Sequence, residues 1–182
     1  MMHTLTIVFL ATLATTVLLR LWLGLRQIGH VQAHRASVPA AFADSISLEA
    51  HQKAADYATA KTRLVIAEAA AQAVLLLVFT VGGLLQWLDQ AWLNVIADGE
   101  LLRGALVIAS AFAISSLVDI PFDYHKKFVV DARFGFNKMS RKMFFSDLLK
   151  HALVGVALGA PLLFAALWLM QGAGIWWWLS LW

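Results

Sequence analysis

Four long apolar runs, separated by polar stretches, dominate the pattern of hydrophobic and polar positions along this chain. Each run is close to the roughly 20 residues that a helix needs to cross a bilayer. The pattern therefore predicts an all-α integral membrane fold, with four transmembrane helices in one membrane domain that covers residues 1–182. We place the four spans at about residues 4–24, 64–85, 101–120 and 152–170.

The two ends of the chain carry apolar segments that need separate interpretation. The first run has no Lys or Arg before it and exceeds the apolar core of roughly 7–15 residues in a signal peptide, so we expect a retained helix. The apolar tail from Gly174 to Trp182 is too short to cross a bilayer. It is either an interfacial segment or the start of a further helix.

The first polar stretch, EAHQKAADYATAK at residues 49–61, is rich in helix-forming residues. Nothing between Leu48 and Gly82 breaks a helix, and Ser45 or Ser47 can cap its first turn. We therefore expect the second helix to begin in this stretch, on the cytoplasmic side, and to continue into the membrane.

The second polar stretch, FVVDARFGFNKMSRKMFFSDLLK at residues 128–150, differs from the first in its residue types. Its first residues, Phe128 to Val130, favour extended backbone, Gly135 marks a bend, and Asn137 or Ser140 can cap the helix that follows. Its phenylalanines indicate docking on protein or on the bilayer surface. The alternative is a basic amphipathic helix on anionic lipid.

Composition and charge agree with a membrane protein. Of the 182 residues, 61% are hydrophobic and 14% are charged, against about 25% charged in a soluble domain. The net charge of +3 comes from basic residues that flank the apolar runs, so the expected partner is the lipid bilayer and not a nucleic acid. The sequence contains no cysteine, which excludes disulfides and thiolate ligands.

The basic residues also predict the orientation. Five Lys or Arg lie in residues 26–63 and seven in residues 126–150, whereas the connections on the other side hold only Arg103. Because cytoplasmic loops carry an excess of Lys and Arg, we expect both polar stretches to be cytoplasmic and both termini to lie outside.

Three ionisable residues and one proline fall inside or at the ends of the apolar runs. Glu68 and Asp119 are carboxylates at a depth where such groups usually face a bundle interior or a cavity; for Glu68, a structural ion pair and a cavity-lining role both stay open. Arg20 is expected to extend its guanidinium towards the interface. Pro121 is expected to end or kink the third helix.

The histidines do not form a recognisable metal site. His30 and His34 are four residues apart, but the position that carries the general base in a His-Glu-x-x-His motif is Val31. We therefore predict no metal site and no catalytic residue in this chain.

The two polar stretches resemble a known family. HQKAADYATAK at residues 51–61, and FVVDARFGFNKMS at residues 128–140 followed by Phe144, are similar to two signatures of the N-terminal membrane region of the type I CAAX prenyl proteases. These are polytopic membrane zinc metalloproteases with bacterial homologues. The residues that match the family motifs are His51, Gln52, Lys53, Asp56, Tyr57, Lys61, Phe134, Gly135, Phe136, Asn137, Asp147 and Lys150.

The resemblance implies a seven-helix membrane enzyme that encloses a chamber and cleaves peptide bonds. In that family an HExxH helix and a later Glu, both in the C-terminal half, hold the zinc, and a zinc-activated water attacks the substrate. This sequence contains no HExxH, so no zinc or catalytic residue can be carried over. The expectation is an N-terminal domain that is inert alone, in a bacterial cytoplasmic membrane, with a zinc-bearing half supplied in cis or in trans and a peptide or protein as substrate.

The resemblance also implies a role for the matching residues. We expect the two polar stretches to pack together at the mouth of the chamber and to support the zinc half, with Asp56 and Asp147 paired to basic residues of that half. Two alternatives stay open at the level of sequence. One is a non-catalytic membrane scaffold or regulatory module, and the other is a small transporter subunit that uses Glu68 and Asp119.

Overall fold

The computed structural model describes residues 4–96 and 99–172, and every regular element within these ranges is helical. A 3₁₀ turn at Ala40–Phe42 follows the first α-helix, and a π-helix at Lys126–Asp131 directly continues the fourth. The five α-helices are α1 Thr4–Ala33, α2 Leu48–Thr80, α3 Leu84–Leu93, α4 Glu100–His125 and α5 Arg141–Gly172. The predicted all-α class is confirmed.

Four segments of the described chain are long and apolar enough to cross a membrane: Thr4–Ala33, Leu48–Thr80, Glu100–Asp131 and Arg141–Met170. In each, at most 6% of the apolar window is buried within the chain. Apolar helices with so few buried side chains require a lipid environment or further helices around them. The predicted C-terminal apolar tail, Gly174 to Trp182, lies outside the described residues.

Two of the predicted helix caps are present. The hydroxyl of Ser47 accepts a hydrogen bond from the backbone N–H of Ala50 at 3.2 Å, and the hydroxyl of Ser140 accepts one from the N–H of Met143 at 3.2 Å. Each bond satisfies a backbone donor that has no partner within its helix. α2 therefore begins within a residue of the predicted cap and runs without interruption for 33 residues.

α2 is nevertheless shorter at its far end than the second predicted span, which was drawn to Leu85. The helix ends at Thr80, and Gly83 adopts the left-handed conformation with φ of 75°. A Cβ on Gly82 would lie 2.7 Å from the carbonyl oxygen of Val78, so this tight turn needs glycine. α3 then begins at Leu84.

Pro121 was expected to end or kink the third helix. It does not end it, because it lies inside α4, which continues to His125. The extended backbone expected at Phe128 to Val130 was wrong, because these residues lie in the π-helix. Val130 is buried there, and packing of this kind routinely overrides the weak local preference of β-branched residues for strands.

The chain forms two compact units, the first made of Met1–Leu76 and Leu117–Lys138 and the second of Leu77–Ser116 and Met139–Trp182. In the first unit, α1 and α2 approach closely at Gly24, where a Cβ would lie 2.6 Å from Cδ1 of Ile66. The buried side chains of this unit, Ala55, Thr59, Val130 and Phe134, gather where the two polar stretches meet.

The second unit is held by contacts between α3 and α4. Arg103 Nε lies 3.1 Å from Asp89 Oδ1, and the indole N–H of Trp92 donates to the hydroxyl of Ser110 at 3.0 Å. These bonds fasten the short helix α3 to α4.

Candidate functional site

The two polar stretches contact each other in the first unit, and Tyr57 of α2 lies at the centre of the contact. Its hydroxyl donates a hydrogen bond to Asp131 Oδ1 at 2.9 Å. Its ring centroid lies 5.4 Å from that of Phe134 and 4.8 Å from that of Phe136, both in edge-on geometry. Each such aromatic pair contributes about 0.5–1.5 kcal/mol beyond its buried area, so Tyr57 joins α2 firmly to the residues that follow the π-helix.

An ion pair fastens the chain after α1 to the same region of α2. Arg35 donates two hydrogen bonds to Asp56, from Nε to Oδ1 at 2.7 Å and from Nη2 to Oδ2 at 2.8 Å. This two-bond geometry is the strong form of an arginine–carboxylate contact. It occupies both carboxylate oxygens of Asp56. We expected a basic partner from the zinc-bearing half, and the structure shows Arg35 of this chain in that position.

Two further hydrogen bonds support the same attachment. The amide of Gln32 donates to the hydroxyl of the buried Thr59 at 2.8 Å. The ring nitrogen Nε2 of His51 lies 2.9 Å from the backbone carbonyl of His34, and because a carbonyl oxygen only accepts, Nε2 is the donor. We call the cluster at the centre of these contacts the polar junction, and it consists of Arg35, Asp56, Tyr57, Asp131, Phe134 and Phe136.

The charges of the polar junction follow from its hydrogen bonds. The bond from Arg35, assisted by the more distant Arg133, lowers the pKa of the Asp56 carboxyl below its ordinary value of 3.8. The bond to Asp131 raises the pKa of the Tyr57 hydroxyl above its ordinary value of 10.0. Near neutral pH, Asp56 is therefore an anion and Tyr57 is a neutral donor.

Gly135 allows the second polar stretch to fold back onto α2. Its φ is 79°, a left-handed conformation that side chains other than glycine rarely adopt. The turn presents Phe136 to Lys53, whose Nζ lies 5.8 Å from the ring centroid. Lys61 Nζ lies 5.9 Å from the ring centroid of Tyr57, so amines flank the aromatic cluster at cation–π distance.

The remaining predicted residues divide between the two units. Gln52 is half-buried on α2, and the backbone N–H of Asn137 donates to the carbonyl of Asp131 at 3.3 Å. Asp147 and Lys150 lie on α5 in the second unit, with Nζ and Oδ1 3.4 Å apart. Asp147 thus also has a basic neighbour in its own helix.

Sequence reasoning missed two members of the polar junction. Arg35 lies in a connection with no local pattern, and its partner is 21 residues away. Asp131 belongs to the quoted family string, but nothing in the string marks it as the acceptor of a hydrogen bond from a tyrosine 74 residues earlier. The available signal was the string DARFGF at residues 131–136, in which one acid, one base and two aromatic residues surround Gly135.

The carboxylates predicted within the spans occupy different surroundings in the first unit. Asp119 accepts a hydrogen bond from the amide of Gln72, which joins α4 to α2. Glu68 is half-buried and lines a cleft of about 480 Å³ between α1 and α2, together with Arg20. No ion pair involves Glu68 among the residues that the structure describes, which favours the cavity-lining alternative.

The described side chains do not suit a zinc ion. Within residues 4–96 and 99–172, no group of three or more His, Asp or Glu side chains is placed to hold a metal. The rings of His30 and His34 have their centroids 4.4 Å apart, without a third ligand beside them among these residues.

The fold and the polar junction define a class of protein. It is a helical integral membrane protein in which polar segments outside the apolar spans bind each other through side-chain contacts. The family model for the CAAX prenyl protease N-terminal region, described as five membrane helices, matches residues 27–182. The chain therefore belongs to the CAAX prenyl protease N-terminal family and is an N-terminal membrane domain of that kind. Four candidate spans lie in the described residues, and most of α1 precedes the matched region.

Individual relatives agree with this assignment. A CAAX prenyl protease 1 homolog of Caenorhabditis elegans is 27% identical over 176 residues, which are 96% of this chain and 39% of that protein. A CAAX prenyl protease 1 homolog of Dictyostelium discoideum is 29% identical over 83 residues, 46% of this chain and 20% of that protein. This chain thus matches well under half the length of either relative.

A solved structure shows the same fold. The crystal structure of S. mikatae Ste24p matches 94% of this chain and 40% of its own, with a TM-score of 0.84 and 22% sequence identity. The likeness is one of fold, and it covers part of a longer chain.

Proposed function

We propose that this chain forms the N-terminal wall of an intramembrane chamber in a CAAX-prenyl-protease-like zinc metalloendopeptidase. A second half, in cis or in trans, carries the HExxH helix and the zinc and completes the active site. The complete enzyme acts on a peptide or protein, and the chain described here is inert alone. Family membership supports this proposal, and so does the similarity to part of a longer protease-family structure.

The polar junction is the single observation that carries the proposal. It ties α2 to the chain that follows α1, through an ion pair, and to the π-helix and the residues after it, through a hydrogen bond and edge-on aromatic contacts. Such a rigid attachment is what a supporting wall needs, because active-site groups must be held to within a fraction of an ångström by the structure behind them. Its role is therefore to position the zinc half, and it takes no part in the chemistry.

The proposed location is a bacterial cytoplasmic membrane, with both polar stretches on the cytoplasmic side and both termini outside. The concentration of Lys and Arg in residues 26–63 and 126–150 supports this orientation. A substrate would then reach the polar junction from the cytoplasm.

A chimera tests the proposed function. Residues 27–182 replace the matching region of a full-length family protease, and cleavage of that protease's peptide substrate is measured in detergent and in liposomes. Asp56→Ala and Phe136→Ala are expected to lower the cleavage rate by between about ten-fold and a hundred-fold, as small displacements of catalytic groups do. The isolated chain is expected to cleave nothing.

Two matched controls separate positioning from general damage. Asp44→Ala removes an exposed carboxylate outside the polar junction. Phe42→Ala removes a ring that is 54% exposed, close to the 56% of Phe136, but that lies outside the aromatic cluster around Tyr57. Both controls should leave the cleavage rate within two-fold of the parent chimera. This corresponds to a change of about 0.4 kcal/mol or less in the activation free energy. Unchanged activity and expression in Asp56→Ala and in Phe136→Ala would contradict the positioning role.

A further inference from the structure

The cleft between α1 and α2 has no role in the proposed function. Its volume of about 480 Å³ lies in the range of about 300–1,000 Å³ that is typical of ligand sites. Apolar side chains form most of its walls, among them Val17 and Leu21 of α1 and Val65 of α2. The contact between Gly24 and Ile66 brings the two helices together within it.

The cleft changes in polarity along the helices. Gln27 and Thr62 line the end that lies nearest the predicted membrane boundary, and Val17 and Ala69 line it deeper in the predicted spans. The one uncharged polar side chain at the deep end, Gln72, already donates its amide to Asp119. A molecule with a polar head and apolar chains matches this gradient. A phospholipid is such a molecule, and it is the solvent of these helices.

Two opposite charges mark the level at which a headgroup would end. Arg20 and Glu68 both line the cleft, and each lies four residues inside its predicted span, whose ends are at residues 24 and 64. At a rise of 1.5 Å per residue, this places both Cα atoms roughly 6 Å below the boundary. Both side chains are long enough to extend towards that boundary.

Neither charge is satisfied within the described part of the chain. No hydrogen bond or ion pair joins Arg20 or Glu68 to another described residue. A charge at this depth is costly without a partner. A ligand that carries both a phosphate and an ammonium would supply one partner to each side chain.

We infer that the α1–α2 cleft binds a zwitterionic phospholipid with a primary ammonium in its headgroup. The phosphate contacts the guanidinium of Arg20, and the ammonium donates hydrogen bonds to the carboxylate of Glu68. The acyl chains lie along Val17 and Ala69, which are deeper in the spans than the two charges. A primary ammonium has hydrogen-bond donors for Glu68, whereas a quaternary ammonium has none and an anionic headgroup brings no cation.

Native mass spectrometry of the purified chain tests this binding directly. The protein is titrated with phosphatidylethanolamine, phosphatidylcholine and phosphatidylglycerol that carry identical acyl chains. The primary-ammonium lipid is expected to bind about ten-fold more tightly than the choline lipid, the ratio that one charge-assisted hydrogen bond supplies. Equal retention of the three lipids would overturn the proposal.

Variants assign the two halves of the headgroup. Arg20→Gln is expected to weaken the binding of all three lipids by about ten-fold, and Arg20→Lys to restore most of it. Glu68→Gln is expected to abolish the preference for ethanolamine over choline and to leave binding of the choline lipid unchanged. Arg26→Gln and Glu49→Gln, which alter charges outside the cleft lining, are the matched controls and should change neither quantity.

A direct ion pair between the two side chains is the competing explanation. In that case single substitutions lower the thermal unfolding temperature, the double exchange Arg20→Glu with Glu68→Arg restores it, and no lipid is retained above the level of the controls. That set of results would contradict the inference that the cleft binds a phospholipid. Because binding is measured on this chain alone, its failure leaves the chimera test of the proposed function unaffected.

Discussion

At the scale of residues, the polar junction works through partners that come from distant parts of the chain. Arg35 and Asp56 make two hydrogen bonds, and Tyr57 bonds Asp131 while its ring contacts two phenylalanines. The buried Thr59 receives a bond from Gln32. Side chains held at several points lose little further freedom when another protein surface docks on them, which suits a supporting role.

The Arg35–Asp56 pair makes stability depend on pH in a defined direction. The pKa of Asp56 is lowered in the folded chain from its ordinary value of 3.8, so the stabilisation is present above that value and is lost as the pH falls through the lower pKa of the folded chain. Asp56→Asn should lower the unfolding temperature by a similar amount at every pH above about 5. Below about pH 4 the difference from the parent chain should shrink towards zero.

Thermal unfolding in detergent, followed by circular dichroism across this pH range, checks the prediction. Asp44→Asn is the control, because Asp44 is an exposed carboxylate that takes part in none of the described ion pairs. A difference between parent and Asp56→Asn that persists undiminished into strong acid would show that the pair does not stabilise the fold through its charge.

At the scale of elements, the turn at Gly135 directs the second polar stretch back onto α2. Its neighbour Phe134 is buried, and Phe136 beyond it reaches the ring of Tyr57. The turn conformation has a positive φ, so the backbone itself, as well as the side chains, holds the aromatic residues in place.

Substitution of this glycine should destabilise the first unit through the backbone. In Gly135→Ala the added Cβ would meet nothing closer than Lys53 Nζ at 3.9 Å, so the cost is conformational, about 1–2 kcal/mol. The unfolding temperature should fall by about 2–8 °C, given roughly 2–4 °C per kcal/mol in a chain of this size.

Gly29→Ala provides the matched control with the opposite sign. Gly29 lies within α1, and a Cβ there has open space around it. Alanine should therefore stabilise the helix by about 0.5–1 kcal/mol. If both variants change the unfolding temperature in the same direction, the left-handed turn is not what the glycine at position 135 provides.

The helix boundaries show which elements local sequence can predict. Ser47 and Ser140 cap their helices as predicted, because a cap needs only a side-chain oxygen three residues from a backbone donor. The π-helix at Lys126–Asp131 was not predicted. Its backbone is stabilised by tertiary burial at Val130, and no local preference of Phe128 or Val129 signals that burial.

At the scale of the whole molecule, the proposed orientation puts both polar stretches on the cytoplasmic side of the membrane. The sequence has no cysteine, so single introduced cysteines report sidedness without background. With a membrane-impermeant maleimide on spheroplasts, Asn94→Cys should label fully, and Ala41→Cys and Ser146→Cys should label only after the membrane is opened. All three positions are exposed in the structure.

If Ala41→Cys and Ser146→Cys both label from outside, the orientation is the opposite of the one proposed. If only one of them labels from outside, the two polar stretches lie on opposite sides of the membrane. In either case the distribution of Lys and Arg would not determine the topology of this protein. Equal labelling of all three in opened membranes serves as the control for reactivity.

The sequence alone determined the membrane class, the four apolar helices, two of the helix caps and the family, because hydrophobic run length and short motifs are local properties. Only the tertiary structure decided that Asp56 pairs with Arg35, that Tyr57 bonds Asp131 and that Glu68 and Arg20 share a cleft. These depend on which surfaces of distant helices meet. The energy that selects such contacts comes from burial and hydrogen bonding between residues far apart in the chain, and no pattern along the sequence encodes it.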